Sequence, residues 1–171
     1  MRFELSPNSS EYKSIKEKFE QSITNLSKEI IRIERIQNER WYMQYLAHSE
    51  DFKKRLNIDT EKRLFHGCPE NAANSIVAEC FDRSFAGAHA TLYGVGAYFS
   101  SNAAFSHTYS GANSNGERRM FLARVLIGKT TIGNGLMKTR PLGFDSTTDG
   151  NHIFVTYHDA QAYAEYLITY K

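Results

Sequence analysis

The 171-residue chain has only two cysteines, Cys68 and Cys80. Neither sits in a C-x-x-C pair, and two thiols cannot complete a four-cysteine zinc site. Buried free thiols in a reducing compartment are expected instead. The six histidines show no H-E-x-x-H or other close ligand spacing, so no metal is expected. No apolar run approaches the ~18 residues of a membrane span. The first residues, Met-Arg-Phe-Glu-Leu-Ser, lack the basic-then-apolar pattern of a secretory signal. An intracellular location, cytoplasmic and/or nuclear and without membrane attachment, is the expectation. A net charge of +2 is too small to imply nucleic acid or acidic lipid by itself. No internal repeat is evident.

With 41% hydrophobic and 23% charged residues, the composition is that of an ordinary globular chain, which excludes disordered and collagen-like classes. The length suits one domain with a real core. Charge is unevenly spread. Residues 1–63 carry 13 basic and 11 acidic side chains, and the totals of 21 and 19 leave 8 and 8 for residues 64–171. The second stretch is instead rich in Gly, Ser, Thr, Asn and Tyr, which suits strands and loops around a neutral, hydrogen-bonding site.

Ser9 and Ser10 can cap a helix whose apolar stripe is Ile15, Phe19, Ile23 and Leu26, ending near Asn25 to Ser27. Glu29 to Gln37 alternates as a half-buried strand, with a short helix as the alternative. Asn38 can cap a second helix, with Trp41, Tyr45, Phe52 and Leu56 on its apolar face. Residues 57–62 read as a loop. Strands are expected at 63–67, 97–99, 120–127, 153–157 and 166–170, and short helices at 71–79 and 102–109. Residues 81–96 and 110–116 read as loops and 128–150 as a long irregular segment. Many short strands with helices concentrated at the front indicate an α+β fold. Gly94-Val95-Gly96 is only a fragment of a dinucleotide fingerprint. It precedes a strand rather than opening a helix, so a Rossmann reading fails.

Three clusters can carry chemistry. His66-Gly67 ends an apolar run, and the glycine lets backbone N–H and C=O come close to a ligand. Tyr93-Gly-Val-Gly-Ala-Tyr98-Phe99 permits a tight loop against a flat ring. Ser106 and Tyr109 lie three positions apart, on one side of a helical turn. Taken alone, the first is better explained as a turn and the second as core packing, and the third is common at a helix end.

In this order the clusters resemble the NAD-binding signature of the poly(ADP-ribose) polymerase family. The resemblance continues through Phe121 to Lys129 and Gln161 to Tyr170. At the front, Glu34-Arg-Ile-Gln-Asn38 with Trp41 and Tyr45 resembles the mono-ADP-ribosylating, macrodomain-bearing members. It implies a split β core with a non-Rossmann NAD cleft, formed by a single domain over residues 1–171. Within it, residues 1–63 form a helical segment and residues 64–171 the cleft. On that mapping Gly67 and Ser106 bind the nicotinamide carboxamide. Tyr109 and Tyr98 flank the ring, and His66 holds the adenine-side ribose. Arg83 lies in a loop over the adenosine.

The resemblance implies a catalytic trio of His66, Tyr98 and, where chain-forming members carry Glu, Ile153. An isoleucine cannot activate a sugar hydroxyl, whereas an Asp or Glu acceptor is already ionised. The departure therefore points to a pentosyl transfer of one ADP-ribose from NAD+ to protein side chains. A weak or inactive NAD-binding interaction module is the alternative. Phe105 is a second departure, standing where relatives often place a polar residue or Tyr. His152 is expected to point away by alternation, and Glu165 to be a structural or surface residue beyond a loop. The helical regulatory subdomain of the DNA-damage-responsive members and the tankyrase-type zinc loop are both missing. Expected partners are NAD+ and protein acceptors. A nucleic-acid acceptor has little electrostatic support from net charge +2 and the Arg118-Arg119 pair. A monomer is expected, and so short a chain is compatible with the catalytic portion of a larger multidomain protein.

Overall fold

The computed structural model describes residues 1–24, 26, 28–85 and 91–171. The expected end of the first helix at Asn25 to Ser27 falls partly outside them, as does the 86–90 stretch of the loop expected at 81–96. The described chain forms β1 (Arg2–Glu4), α1 (Ser10–Ser22), β2 (Ile30–Ile36), α2 (Glu39–Leu56), β3 (Glu61–Cys68) and α3 (Glu70–Glu79). It continues through β4 (Ala97–Ser100), α4 (Ala103–His107), β5 (Arg118–Leu126), β6 (Thr130–Ile132), β7 (Ser146–Thr148), β8 (Ile153–Thr156) and β9 (Ala162–Tyr170). All nine strands join one sheet in the order β1-β2-β9-β5-β3-β4-β8-β7-β6. Every pairing is antiparallel except β6 with β7. This is the mixed, helix-poor α+β arrangement that the sequence indicates.

Strand alternation divides the core between the two faces of the sheet. On β5, Met120 and Leu122 pack with Ile15 and Phe19 of α1, and with Phe65 of β3. Phe121, Ala123 and Val125 point the other way, toward Ala73 of α3 and Trp41 of α2. Helix α2 adds Tyr45 and Phe52 against Leu126 and Tyr163. The caps fall where the sequence puts them. Ser9 Oγ accepts from the Tyr12 N–H at 3.1 Å. Asn38 Oδ1 faces the Trp41 N–H, and Asn57 closes α2 in the left-handed region at φ 55°.

Several elements differ from the sequence reading, and α1 stops at Ser22, short of the end expected near Asn25 to Ser27. β3 begins at Glu61, inside the expected loop. β9 begins at Ala162 rather than 166, since its nine residues are buried on both faces and show no alternation. β6 and β7 lie inside the segment expected to be irregular, because two three-residue strands with Ile132 as their one apolar residue leave no hydrophobic period to read. β1 is an exposed edge strand of three residues that the sequence reading missed. The 128–145 segment is tied down by Asp145, only 1% exposed. Its carboxylate accepts from the Lys129 N–H at 2.9 Å and from Arg55 Nη2 of α2 at 2.7 Å.

Candidate functional site

The sheet loosens between β3 and β4, where a single register pair, Phe65 with Ser100, joins the two strands. Just beyond it His66 reaches across the gap. Its Nδ1 lies 2.7 Å from the Tyr98 carbonyl oxygen. A carbonyl only accepts, so Nδ1 carries the hydrogen. The imidazole packs edge-on against Phe81 at 5.1 Å and tilts against Phe99 at 5.5 Å.

Gly67 faces the opposite side of the sheet, toward α4. A Cβ there would lie 1.9 Å from the Ser106 carbonyl oxygen, so only glycine lets helix and strand approach this closely. Ser106 is 3% exposed, and its Oγ donates to the Phe65 carbonyl at 3.2 Å. A hydroxyl oxygen that donates once keeps acceptor capacity. Helix α4 has only five residues and is held from outside. Asn102 Oδ1 caps the Ala104 and Phe105 N–H groups, and Ser22 Oγ accepts from the Ala103 N–H at 2.6 Å. The helix stops at His107 rather than Tyr109. A Tyr109 N–H to Ser106 carbonyl bond of 3.1 Å then carries the turn on.

The Tyr98 hydroxyl donates to the Gly94 carbonyl at 2.6 Å and accepts from the Tyr93 N–H at 3.0 Å. Burial, chiefly, pushes its pKa up. This pair of bonds fixes the Tyr93–Gly94 loop from the cleft side. From behind, Thr147 Oγ1 donates to the Tyr93 carbonyl at 2.7 Å and pairs with the Tyr157 hydroxyl at 2.6 Å. Gly94 has φ +132°, and a Cβ on it would strike the Tyr157 hydroxyl.

Tyr98, Phe105, Tyr109 and Ile153 come together around one cavity of about 40 Å³, with Leu92 and Tyr93 at its edge. Of the site residues predicted from sequence, these four line it. His66 connects to it through its bond to the Tyr98 carbonyl, and Gly67 packs against Ser106, the neighbour of Phe105 on α4. Arg83 is not brought in. It is exposed on a short turn whose N–H donates to Asp159 Oδ1 at 3.2 Å, and only Phe81, two residues earlier, touches the site through His66. Leu92 was not foreseen, for an exposed leucine in a polar loop gives no signal. None of the six lining side chains carries a carboxylate.

Ile153 opens β8 opposite Ser100 and is 5% exposed. Its N–H donates to Asp149 Oδ1 at 2.9 Å, and its carbonyl accepts from Thr148 Oγ1 at 2.6 Å. Burial pushes the Asp149 carboxyl up, but hydrogen bonds from the Ile153 and Asn151 N–H groups and the nearby His152 outweigh it and hold it low. His152 does not line the cavity, but it is not turned away from the site either, since its ring packs against Phe105. Glu165 lies within β9 rather than beyond a loop. It is 7% exposed and bridges Arg63 at 3.1 Å and Arg124 at 2.7 Å. Arg119 is likewise buried, on Glu70 and Glu117, which removes half of the Arg118-Arg119 pair as a binding surface. Both cysteines are free and buried, and burial raises each thiol, Cys68 to about 12 and Cys80 to about 11. Among the described residues, no His, Cys, Asp and Glu cluster could hold a metal ion, and no helix is long and apolar enough to cross a membrane.

The sequence that builds this cleft matches a known family. The model of the poly(ADP-ribose) polymerase catalytic domain matches residues 9–149, and the chain belongs to that family. It is 36% identical to the human protein mono-ADP-ribosyltransferase PARP14 over 98% of its own length and 10% of that protein's. Identity is 34% to mouse protein mono-ADP-ribosyltransferase PARP10 and 33% to mouse protein mono-ADP-ribosyltransferase PARP12, again over 98% of this chain, and over 19% and 25% of those proteins. The chain thus spans between a tenth and a quarter of these three relatives. The family match ends before Ile153, whose place is set by its strand pairing with Ser100.

Proposed function

We propose that residues 1–171 form one ADP-ribosyltransferase domain. It transfers a single ADP-ribose from NAD+ to a protein side chain and releases nicotinamide. The observation that carries this reading is the apolar Ile153 in the cavity wall beside Tyr98 and Tyr109. The names of the relatives, each a protein mono-ADP-ribosyltransferase, point the same way.

The nicotinamide ring enters between Tyr98 and Tyr109, where flat rings and apolar surface suit it. Its carboxamide bonds the Gly67 backbone, and its N–H donates to Ser106 Oγ, whose own hydrogen stays on Phe65. His66, held by its Nδ1–H bond to Tyr98, turns toward the adenine-side ribose. Phe81 backs the imidazole from the core, and the segment that carries Arg83 is the one nearest the adenosine end. The bond between ribose C1′ and the nicotinamide nitrogen breaks, and its electron pair leaves with neutral nicotinamide. An acceptor carboxylate oxygen then bonds to C1′. No proton needs to be removed, so no base is required where Ile153 stands. Positioning and electrostatics carry the reaction through an oxocarbenium-like transition state. A hydroxyl acceptor would have to lose a proton, and the cavity wall offers no carboxylate to take it.

Mass spectrometry after incubation with labelled NAD+ tests the reading. One ADP-ribose per modified site is expected, and Tyr98→Ala greatly weakens NAD+ binding. Ladders that a polymer-specific glycohydrolase digests would overturn single transfer. NAD+ binding without nicotinamide release would overturn transfer altogether.

A further inference from the structure

Behind the cavity wall lies a polar group, Ser100, His152 and Asp149, that the proposed chemistry does not use. Ser100 is fully buried on β4. Its Oγ accepts from the Asn102 N–H at 2.9 Å and lies 2.9 Å from His152 Nδ1. On the other side of the imidazole, Nε2 faces Asp149 Oδ2 at 3.8 Å. The ring is therefore hydrogen-bonded at Nδ1 and has a carboxylate near Nε2. It meets Phe105 edge-on, with centroids 5.2 Å apart at 67°. Phe105 in turn meets Tyr109 at 5.3 Å and 63°. Phe105 and Tyr109 line the cavity and His152 does not. Phe105 belongs to a five-residue helix too short to fix a side chain by its own regularity.

We infer that His152 is a positioning residue that holds Phe105, and through it Tyr109, in the orientation that receives a flat amide ring. Ser100 and Asp149 orient the imidazole, the imidazole braces Phe105, and Phe105 braces Tyr109. The effect is confined to the ring end of the ligand. The inference rests on the transferase reading of the cleft.

Two variants separate the ring from its hydrogen bond. His152→Asn keeps a polar group toward Ser100 and loses the ring, whereas His152→Phe keeps a ring and loses the polar grip. Calorimetry on the whole chain uses NAD+, nicotinamide and ADP-ribose as probes, with thermal unfolding followed alongside to count the folded fraction. His152→Asn is expected to weaken NAD+ and nicotinamide about three- to tenfold, the worth of one aromatic pair. ADP-ribose binding stays within about twofold of the parent chain. KM for NAD+ rises by the same factor, while kcat holds. His152→Phe, with a ring but no hydrogen bond to Ser100, falls between the parent chain and His152→Asn. Unchanged NAD+ affinity in His152→Asn overturns the inference. So does an equal loss for ADP-ribose, which would mark general damage, or a His152→Phe variant as weak as His152→Asn. If the parent chain binds ADP-ribose and NAD+ alike and never releases nicotinamide, the transferase reading falls first and the inference with it.

Discussion

A methyl group on Gly67 would sit 1.9 Å from a backbone carbonyl of α4, and backbone cannot swing aside as a flexible side chain can. Gly67→Ala must push α4 off β3, carrying Ser106 and Tyr109 with it. We expect a loss of about 1–3 kcal/mol in urea unfolding, the usual cost of overpacking, together with a much larger fractional loss of NAD+ affinity. Ile153 makes a complementary case. Ile153→Glu would place a carboxyl among Tyr98, Phe105 and Tyr109, where burial favours its neutral form. Its pKa in the folded chain then lies above its unfolded value. The variant is most stable below the ordinary carboxyl pKa of about 4.3 and loses stability as pH rises past it. Unfolding midpoints of variant and parent should converge toward acid and separate by about 1–3 kcal/mol near neutrality. A constant difference across that range would place position 153 in water instead of in the cavity wall.

At the scale of elements, α4 is the one most dependent on its neighbours. Its C-terminal end is held by a buried hydroxyl network, in which His107 Nδ1 lies 2.8 Å and Ser110 Oγ 2.6 Å from the Tyr170 hydroxyl at the end of β9. Burial, with Lys28 and Arg118 nearby, depresses the His107 pKa. On the far side of the sheet, burial and Arg140 depress that of His158. A depressed imidazole keeps the folded chain neutral while the unfolded chain takes up protons. Stability is therefore full above the ordinary histidine pKa of about 6.5 and falls as pH drops through the depressed folded values. Thermal unfolding at about pH 7.5 and about pH 5.5 should show this decline, and His107→Gln should flatten it. An identical slope in that variant would exclude His107 as a source. The sequence made α4 legible through Asn102 and the spacing of Ser106 and Tyr109. It could not reveal the anchoring on Tyr170, because that partner lies 60 or more positions away in the chain.

For the whole molecule, what the sequence disclosed follows from the range of the forces involved. Caps and apolar stripes are local, so Ser9, Asn38 and the core faces of α1 and α2 could be read directly. Tyr98 and Tyr109 were recognisable only within an ordered set, and Phe105 and Ile153 only as departures from it, while their convergence needed separate elements to fold. The strands 130–132 and 146–148 are held by pairing with each other and with β8 rather than by any pattern of their own. The same logic hid the true length of β9, whose two buried faces erase alternation.

That strand has a kinetic consequence. β9 is the last of the nine described strands, yet it lies inside the sheet, between β2 and β5 and third from one edge. Until residue 170 is available, β2 and β5 each present a bare hydrogen-bonding edge flanked by apolar side chains, the kind of surface that recruits other chains. Joining β2 to β5 in the sheet therefore waits for residues 162–170. A fragment of residues 1–160 should give no cooperative unfolding transition by circular dichroism. A separately supplied peptide of residues 161–171 should restore one, as a missing keystone strand would.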